Sequence, residues 1–329
     1  MIVLFGAGNC GRSIARNLKE PFVFVDNDSA KIGMEMMGVP VLSPEIALSM
    51  HPDDTWVVSI GKPERKEVSA QLENMGVKLE MPWKYLDMKM GLPSVETGGF
   101  VVQLAGDVHT VKEFTDQFSF RTHPDYDKQI PCDDMLDIYF PDFIVKRDDE
   151  HFVDCGAADG DTIAEFCKRW DKWSFITGFE PDRANYGKLR ESVPDHQWID
   201  LRWGAVSDSR GMMPFQATGD YSAHLAPHIS QPATTLVNCT TLDDSLRYPP
   251  TFIKMDIEGS ELEALWGARR ILKDHSPVLA ICAYHKSEDL WQIPMLIHAL
   301  QPDYKLFLRR YSPGTMDLVW YAVPFSRMK

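Results

Sequence analysis

The chain has 329 residues and a formal net charge of -14 at pH 7. An acidic protein repels the phosphates of nucleic acids, so this charge argues against a nucleic-acid partner. No apolar run approaches the about 20 residues that cross a bilayer, and we therefore expect no membrane span. The six cysteines include no Cys-x-x-Cys pair, which indicates reduced thiols in a cytoplasmic protein.

The first predicted domain covers residues 1–80 and alternates short apolar strands with helices. This alternation predicts a small Rossmann-like parallel sheet. Its first turn has the spacing Gly-x-Gly-x-x-Gly, and its second strand ends at an acidic residue, as in nucleotide-binding units. A second interpretation is that the glycines only make a tight turn, so an NAD, a sugar nucleotide or no ligand stays open. The candidate nucleotide-binding residues are Gly6, Gly8, Gly11 and Asp26.

Residues 81–148 differ in character from the first domain. Prolines and glycines interrupt this stretch, and one amphipathic helix is predicted within it. We interpret it as a connecting and capping segment, partly helical. It leads into a second α/β domain, predicted to cover residues 149–329.

The second domain opens with a strand, a glycine turn and a helix, in the sequence FVDCGAADGDTIAE at 152–165. Thr162 and Glu165 have the spacing of a capping box, which predicts the start of the helix. In an open α/β sheet such a turn receives a ligand at the carboxyl edge, and glycine allows the ligand to approach the backbone. The candidate ligand-binding residues of this turn are Asp154, Gly156, Ala157, Asp159, Gly160, Asp161 and Thr162.

The next two strands extend the predicted ligand site. The first ends at Glu180 and Pro181, where a carboxylate can accept hydrogen bonds from a ribose diol. The second is followed by Ala205 and Val206, which we expect beside an adenine base. No phosphate-binding glycine motif occurs here, so a nucleoside without a pyrophosphate is favoured. S-adenosylmethionine (SAM) fits this description.

A second polar edge is predicted further along the chain. A strand in the stretch 251–261 ends on Asp256, and Ser260 with Glu263 repeats the capping-box spacing. A buried strand at 278–284 ends on His285. Because the carboxyl ends of parallel strands meet at one edge of a sheet, we expect these two end residues to lie beside the ligand. Within the first of these strands, Lys254 is interpreted as a flanking charge.

Several of these motifs together carry a resemblance to a known family. In order, FVDCGAADGDT, GFEPD, TTLDD, FIKMDIEGSELEALWGA, AYHKSEDLWQIP and LVWYAVP resemble the FkbM family of SAM-dependent methyltransferases, over about residues 110–324. The resemblance implies a seven-strand class I methyltransferase fold and SAM as the methyl donor. It also implies O-methylation of sugars or of polyketide-derived hydroxyls. The first domain lies outside the resemblance.

For this chemistry His285 or Asp256 is the predicted catalytic base. An unperturbed histidine titrates near neutral pH, and a positioned base accelerates a reaction by roughly 10²–10⁴-fold. We expect no metal ion. The alternative is a divalent cation held by Asp243, Asp256 and Glu258.

The sequence therefore predicts an α/β enzyme that methylates a hydroxyl of a sugar or glycan precursor in polysaccharide biosynthesis. One alternative is a nucleotide-sugar oxidoreductase that uses the first domain. Another is a protein that binds SAM or a nucleotide without catalysis. The oligomeric state stays open, a homo-oligomer included.

Overall fold

The computed structural model divides into two compact units, Met1–Leu92 and Pro93–Lys329. This division differs from the predicted boundaries, since residues 93–148 of the predicted connecting segment belong to the second unit. The residues that the structure describes are 1–7, 15, 20–58, 68, 71–72, 74–77, 79–80, 95–122, 132–133, 137–217, 224–225, 234–312 and 315–329.

The first unit contains a six-stranded sheet in the order β3-β4-β2-β1-β5-β6, parallel except for the pair β3 and β4. The side chains of Val3 and Phe5 enter one apolar core, and those of Ile2 and Leu4 enter another. A parallel sheet covered on both faces needs this continuous apolar run. Its described elements are β1 (Ile2–Phe5), β2 (Phe22–Val25), β3 (Glu35–Met36), β4 (Val39–Leu42), α1 (Pro44–Met50), β5 (Thr55–Val58) and β6 (Leu79–Glu80).

The second unit is built on a larger sheet. Its strands are β7 (His151–Cys155), β8 (Phe175–Glu180), β9 (Ile199–Trp203), β10 (Ala205–Val206), β11 (Gly211–Gln216), β12 (His224–Leu225), β13 (Thr234–Thr240), β14 (Phe252–Met255), β15 (Val278–Cys282), β16 (Lys305–Arg310) and β17 (Leu318–Val323). Its helices are α2 (Val95–Gln103), α3 (Val108–Thr122), α4 (Asp161–Arg169), α5 (Arg183–Ser192), α6 (Leu242–Ser245), α7 (Glu261–Trp266), α8 (Arg269–His275), α9 (Asp289–Leu300) and the 3-10 helix Phe325–Arg327.

Seven strands form the main sheet in the order β16-β17-β15-β14-β7-β8-β9. The five strands from β15 to β9 are parallel, and β17 is antiparallel to both of its neighbours. This arrangement confirms the predicted class I methyltransferase fold. The order reverses between β7 and β14, and a sheet of this kind receives ligands at the carboxyl edge of that point. A second sheet has the order β10-β13-β11-β12.

Side chains of the central strands alternate between two apolar cores, one on each face of the sheet. Val153 and Cys155 enter the first core, whereas Phe152 packs in the second against the stacked ring of Phe166. Successive side chains of a β-strand point to opposite faces of the sheet, and this produces the alternation. The two cores therefore fix the strand register, and with it the positions of the residues that follow each strand.

Helix α3 packs on the edge of the main sheet. The hydroxyl of Thr110 accepts a hydrogen bond from the backbone amide of Leu308 at 3.1 Å. The guanidinium of Arg310 donates to Glu113 at 2.7 Å, and both side chains are buried. These contacts explain why α3, which lies in the predicted connecting segment, belongs to the second unit.

The predicted capping box at Thr162 and Glu165 is wrong. Helix α4 begins after Gly160, whose φ is 91°, and no side chain caps it. Thr162 already lies inside the first turn, where its hydroxyl donates to Asp161. Glu165 instead forms ion pairs with basic residues of the same helix.

The second predicted capping box, at Ser260 and Glu263, is wrong as well. The side chain of Ser260 makes no capping hydrogen bond at the start of α7. The neighbouring Glu261 accepts instead from the amide of Ile257 at 3.0 Å. The acid two residues before the predicted one therefore closes this turn.

None of the helices in the described part of the chain combines the length and the apolar character that crossing a membrane requires.

Candidate active site

A cavity of about 440 Å³ lies in the second unit at the carboxyl ends of β7, β8 and β14. This is the size range of pockets for small molecules and cofactors. Eight residues that the sequence predicted for ligand binding line it: Gly156, Asp161, Thr162, Glu180, Pro181, Ala205, Val206 and Asp256.

Four further candidates for ligand binding do not line this cavity. Ala157 is buried in the apolar core below it. The backbone carbonyl of Asp159 accepts a hydrogen bond from Ser192 at the end of α5. A side chain at Gly160 would meet Ser192 and Val193, so this glycine allows the turn to pack on α5. The fourth is Asp154, which is fully buried.

Position 156 requires glycine because of the chain that follows the neighbouring strand β14, and not only because a ligand could approach there. Its φ is 81°, and an added Cβ would lie 2.0 Å from the backbone carbonyl oxygen of Asp256. The predicted reason, space for a ligand, is therefore incomplete. The turns after β7 and β14 touch at this glycine, which brings together the two groups of site residues that the sequence predicted.

Glu180 presents a buried carboxylate to the cavity. One oxygen accepts from the amide of Ala158 at 2.9 Å and the other from the amide of Asp182 at 2.7 Å. Burial outweighs these hydrogen bonds and raises the pKa of Glu180 to about 7. Each carboxylate oxygen can accept more than one hydrogen bond, so Glu180 keeps acceptor capacity for a ligand hydroxyl.

Asp154 forms a buried ion pair with Lys254 instead of facing the cavity. The Nζ atom of Lys254 lies 2.9 Å from the Asp154 carboxylate and donates to the carbonyl of Gly156 at 2.8 Å. Burial opposes the charge on Lys254, but Asp154 and Asp256 outweigh it and raise the pKa of this lysine. Lys254 is therefore a buried cation that lines the cavity, and its interpretation as a flanking charge is wrong.

Asp256 is held in place by two tyrosine hydroxyls. The Tyr139 hydroxyl donates to Oδ2 at 2.9 Å, and the Tyr284 hydroxyl donates to Oδ1 at 3.0 Å. Burial disfavours the charged carboxylate, but Lys254, His285 and the two phenols lower the pKa of Asp256 below its ordinary value. Asp256 is thus an oriented, ionised carboxylate at the cavity wall.

His285 lies behind Asp256 among three carboxylates. Its Nε2 atom is 3.3 Å from Asp256 and 3.6 Å from Glu258, and its Nδ1 atom is 2.9 Å from Glu261. Burial opposes protonation, but the neighbouring carboxylates of Glu258, Glu261 and Asp256 raise the pKa of His285 to about 11. The imidazole is therefore charged at neutral pH, unlike the near-neutral base that the sequence suggested.

The predicted alternative set of metal ligands is not brought together. Asp243 caps α8, where its carboxylate accepts from the amides of Arg270 and Ile271. The other two members, Asp256 and Glu258, lie together with His285 instead. The strand pairing explains this, because β14 and β15 are neighbours whereas Asp243 lies on α6, which contacts α8.

The candidate nucleotide site of the first unit is only partly described. Gly6 follows β1, and Gly8 and Gly11 lie outside the described residues. Asp26 accepts from the amides of Ala7 and Asp28 at 2.9 Å each, and Lys31 Nζ lies at 3.0 Å. The carboxylate thus stabilises the turns around it in this unit.

Sequence reasoning missed two residues around Asp256 and His285. An acid such as Glu261 is favourable at a helix start without any further role, yet here it binds His285. Tyr139 precedes β7 by several residues, so strand order gave no reason to place it in the cavity. The Tyr-Phe-Pro run at 139–141 lies within the part of the chain that resembles the family, and that is the signal that could have found it.

The comparison with protein families agrees with this geometry. Residues 154–311, slightly less than half of the chain, match the model of the methyltransferase FkbM domain. This part of the second unit is therefore similar to a methyltransferase FkbM domain. The match starts near the end of β7 and includes the other four parallel strands of the main sheet. The predicted resemblance is therefore confirmed.

Solved structures support the same fold for the FkbM domain. The chain resembles methyltransferase FkbM of Methylobacillus flagellatus KT with a TM-score of 0.74 and 22% identity, over 98% of this chain and 89% of that chain. At this identity the likeness concerns the fold alone. No curated protein sequence matches the chain.

Two weaker structural matches are also to methylases. Precorrin-6y C5,15-methyltransferase of Geobacter metallireducens GS-15 has a TM-score of 0.35 and 15% identity, over 54% of this chain and 82% of that chain. An rRNA methylase of Streptococcus thermophilus has a TM-score of 0.35 and 14% identity, over 55% of this chain and 90% of that chain. Likeness at this level carries no argument about the FkbM domain here, which rests on its own family match.

Proposed function

We propose that this protein is a SAM-dependent O-methyltransferase whose acceptor is a hydroxyl of a sugar or glycan precursor. The observation that carries the proposal is one cavity lined by both Glu180 and Asp256. Glu180 is a carboxylate suited to a ribose, and Asp256 is an oriented carboxylate suited to an acceptor. The methyltransferase FkbM domain agrees with this combination.

The residues of the cavity fit a sulfonium nucleoside. Glu180 keeps acceptor capacity for the ribose hydroxyls, and the apolar walls Phe179, Val206 and Phe215 suit an adenine ring. A volume of about 440 Å³ is compatible with a nucleoside carrying an amino-acid chain. When bound, SAM supplies a methyl group on a positively charged sulfur.

The transfer needs a positioned acceptor and a place for its proton. The acceptor oxygen forms the new C–O bond while the S–C bond breaks, and the sulfur keeps the electron pair as a neutral thioether. The hydroxyl proton passes to Asp256, the one of the two predicted bases that lines the cavity. Holding the oxygen and the methyl carbon about 3 Å apart in line supplies much of the rate gain.

His285 acts as a positioning residue in this proposal. It is 8% exposed in its side chain and lies behind Asp256, so it does not reach the acceptor directly. Its positive charge and the hydroxyls of Tyr139 and Tyr284 hold the Asp256 carboxylate in one orientation. The predicted role of His285 as the base is replaced by this one.

The test is transfer from SAM that carries a labelled methyl group. The purified protein is incubated with candidate sugar nucleotides and other hydroxylated glycan precursors, and the products are analysed by mass spectrometry. We expect one product whose mass increases by one labelled methyl group and whose formation requires Asp256. Turnover of a nucleotide sugar with NAD instead of SAM would support the oxidoreductase, and SAM binding without any product would support a non-catalytic role.

A further inference from the structure

We infer that Asp256, Glu258 and His285 bind a divalent cation at the wall of the cavity. One ligand atom from each lies within 4.8 Å of the other two. The imidazole Nε2 atom is 3.3 Å from the Asp256 carboxylate and 3.6 Å from that of Glu258. Ligand atoms of a tetrahedral site with bonds of about 2.0–2.2 Å stand about 3.4 Å apart, so these spacings suit a metal ion.

The histidine is oriented as metal-binding histidines are. Its Nδ1 atom bonds the carboxylate of Glu261 at 2.9 Å, and the Glu261 side chain is fully buried. Metal-bound histidines usually place their second nitrogen on a carboxylate in this way, which leaves Nε2 for the metal. The side chain is 8% exposed, and Nε2 makes no hydrogen bond although it faces Asp256 and Glu258. A buried nitrogen without a hydrogen bond needs a partner.

The charges around His285 also favour a cation. Three carboxylate groups lie within 3.6 Å of its ring nitrogens. The nearby buried cation, Lys254, is paired with Asp154 at 2.9 Å and therefore offsets only part of this charge. A divalent ion would replace the proton on Nε2 of His285 and supply positive charge at the point where the carboxylates converge.

The ligand set indicates the class of ion. One imidazole and two carboxylates combine a donor that suits first-row transition metals with donors that suit Mg²⁺, Ca²⁺ and Mn²⁺. A first-row ion such as Mn²⁺ accepts both kinds. Asp256 and Glu258 line the cavity, so the open coordination positions would face the acceptor.

A cation here would explain how a weak base suffices, and this step rests on the proposed function. Asp256 already accepts hydrogen bonds from the hydroxyls of Tyr139 and Tyr284, so alone it is a weak base for a hydroxyl proton. A hydroxyl bound to a divalent ion is a far stronger acid than a free one. Coordination by one oxygen of Asp256 leaves the other to accept the proton.

The experiment is a titration of the full chain with Mn²⁺, followed by calorimetry and by pulsed EPR. We expect one Mn²⁺ per chain with a nitrogen coupling from His285. We also expect at least tenfold weaker binding in His285→Gln and Glu258→Gln. The matched control is Glu263→Gln, which removes a half-exposed acid of α7 and should bind Mn²⁺ as the unaltered chain does. Thermal unfolding checks each variant, and Glu258→Gln decides the question if His285→Gln does not fold.

Equal affinity in Glu258→Gln and in the unaltered chain, absence of the nitrogen coupling, or no Mn²⁺ binding would overturn the inference. The result is separable from that of the proposed function. If methyl transfer continues unchanged in the presence of a chelator, the proposed function stands and the role of the cation is contradicted. If one Mn²⁺ binds at His285 but no methyl group is transferred to any acceptor, the cation site stands and the proposed function is contradicted.

Discussion

The ammonium of Lys254 lies 2.9 Å from the carboxylate of Asp154, and the two side chains are 3% and 0% exposed. The pair joins β14 to β7, the two strands between which the sheet order reverses. It also lies directly beneath the cavity, since Lys254 donates to the carbonyl of Gly156.

Lys254→Met should destabilise the protein by about 3–5 kcal/mol, because it leaves a buried Asp154 carboxylate without its partner. Urea unfolding of the full chain measures this loss. Asp154→Leu combined with Lys254→Met should recover much of it. The control is Lys112→Met, which removes an exposed partner of Asp116 and should cost less than about 1 kcal/mol. A cost for Lys254→Met as small as that of the control would contradict the structural role of the pair.

Gly156→Ala should be strongly destabilising, by about 3 kcal/mol, because the new Cβ would collide with the Asp256 carbonyl at 2.0 Å. The positive φ of 81° adds strain. Gly187→Ala is the matched control: it lies inside α5, and its Cβ would meet no atom within 4 Å. That change should be neutral or stabilise by up to about 1 kcal/mol. Thermal unfolding of both variants decides the matter, and equal effects would refute the close approach at Gly156.

Much of this architecture follows from the sequence because hydrophobic patterning and strand ends are local properties. The apolar strand around Val153 and the carboxylate at the end of β8 needed no tertiary information. The first capping box failed because Gly160 in a left-handed conformation begins α4 without a side-chain cap. Ionisation could not be predicted either, since the charged state of His285 depends on Glu258 and Glu261, which only the folded loop after β14 brings to the ring.

Affinity for SAM should depend on pH through Glu180, whose pKa burial raises to about 7. In the proposed complex the carboxylate accepts hydrogen bonds from ribose, whereas the protonated acid has lost acceptor capacity. Binding should therefore be complete above pH 7 and weaken as the pH falls through it, by about tenfold from pH 8 to pH 6. Calorimetric titrations across this range measure the dependence. A Glu180→Gln variant should bind weakly with little change over the same range, and an identical slope in that variant would assign the titration to another group.

Tyr139→Phe and Tyr284→Phe should each lower kcat by tenfold to about a hundredfold while SAM affinity stays unchanged. Each removes a hydrogen bond to the charged Asp256, worth about 1.5–3 kcal/mol, and keeps the ring. Tyr186→Phe is the control, because its hydroxyl donates to the carbonyl of Leu201 away from Asp256. Steady-state kinetics separate kcat from KM. If Tyr186→Phe matched the other two in kcat, the role of the phenols in orienting Asp256 would be disproved.

The most direct measurement is the calorimetric titration of the full chain with SAM, made in parallel on Glu180→Gln and Asp26→Asn. We predict one site per chain, at least tenfold weaker binding in Glu180→Gln, and unchanged binding in Asp26→Asn, because the proposed nucleoside site lies in the second unit. Equal affinity in Glu180→Gln and the unaltered chain, or no heat of binding at all, would contradict the assignment of this cavity to a methyl donor.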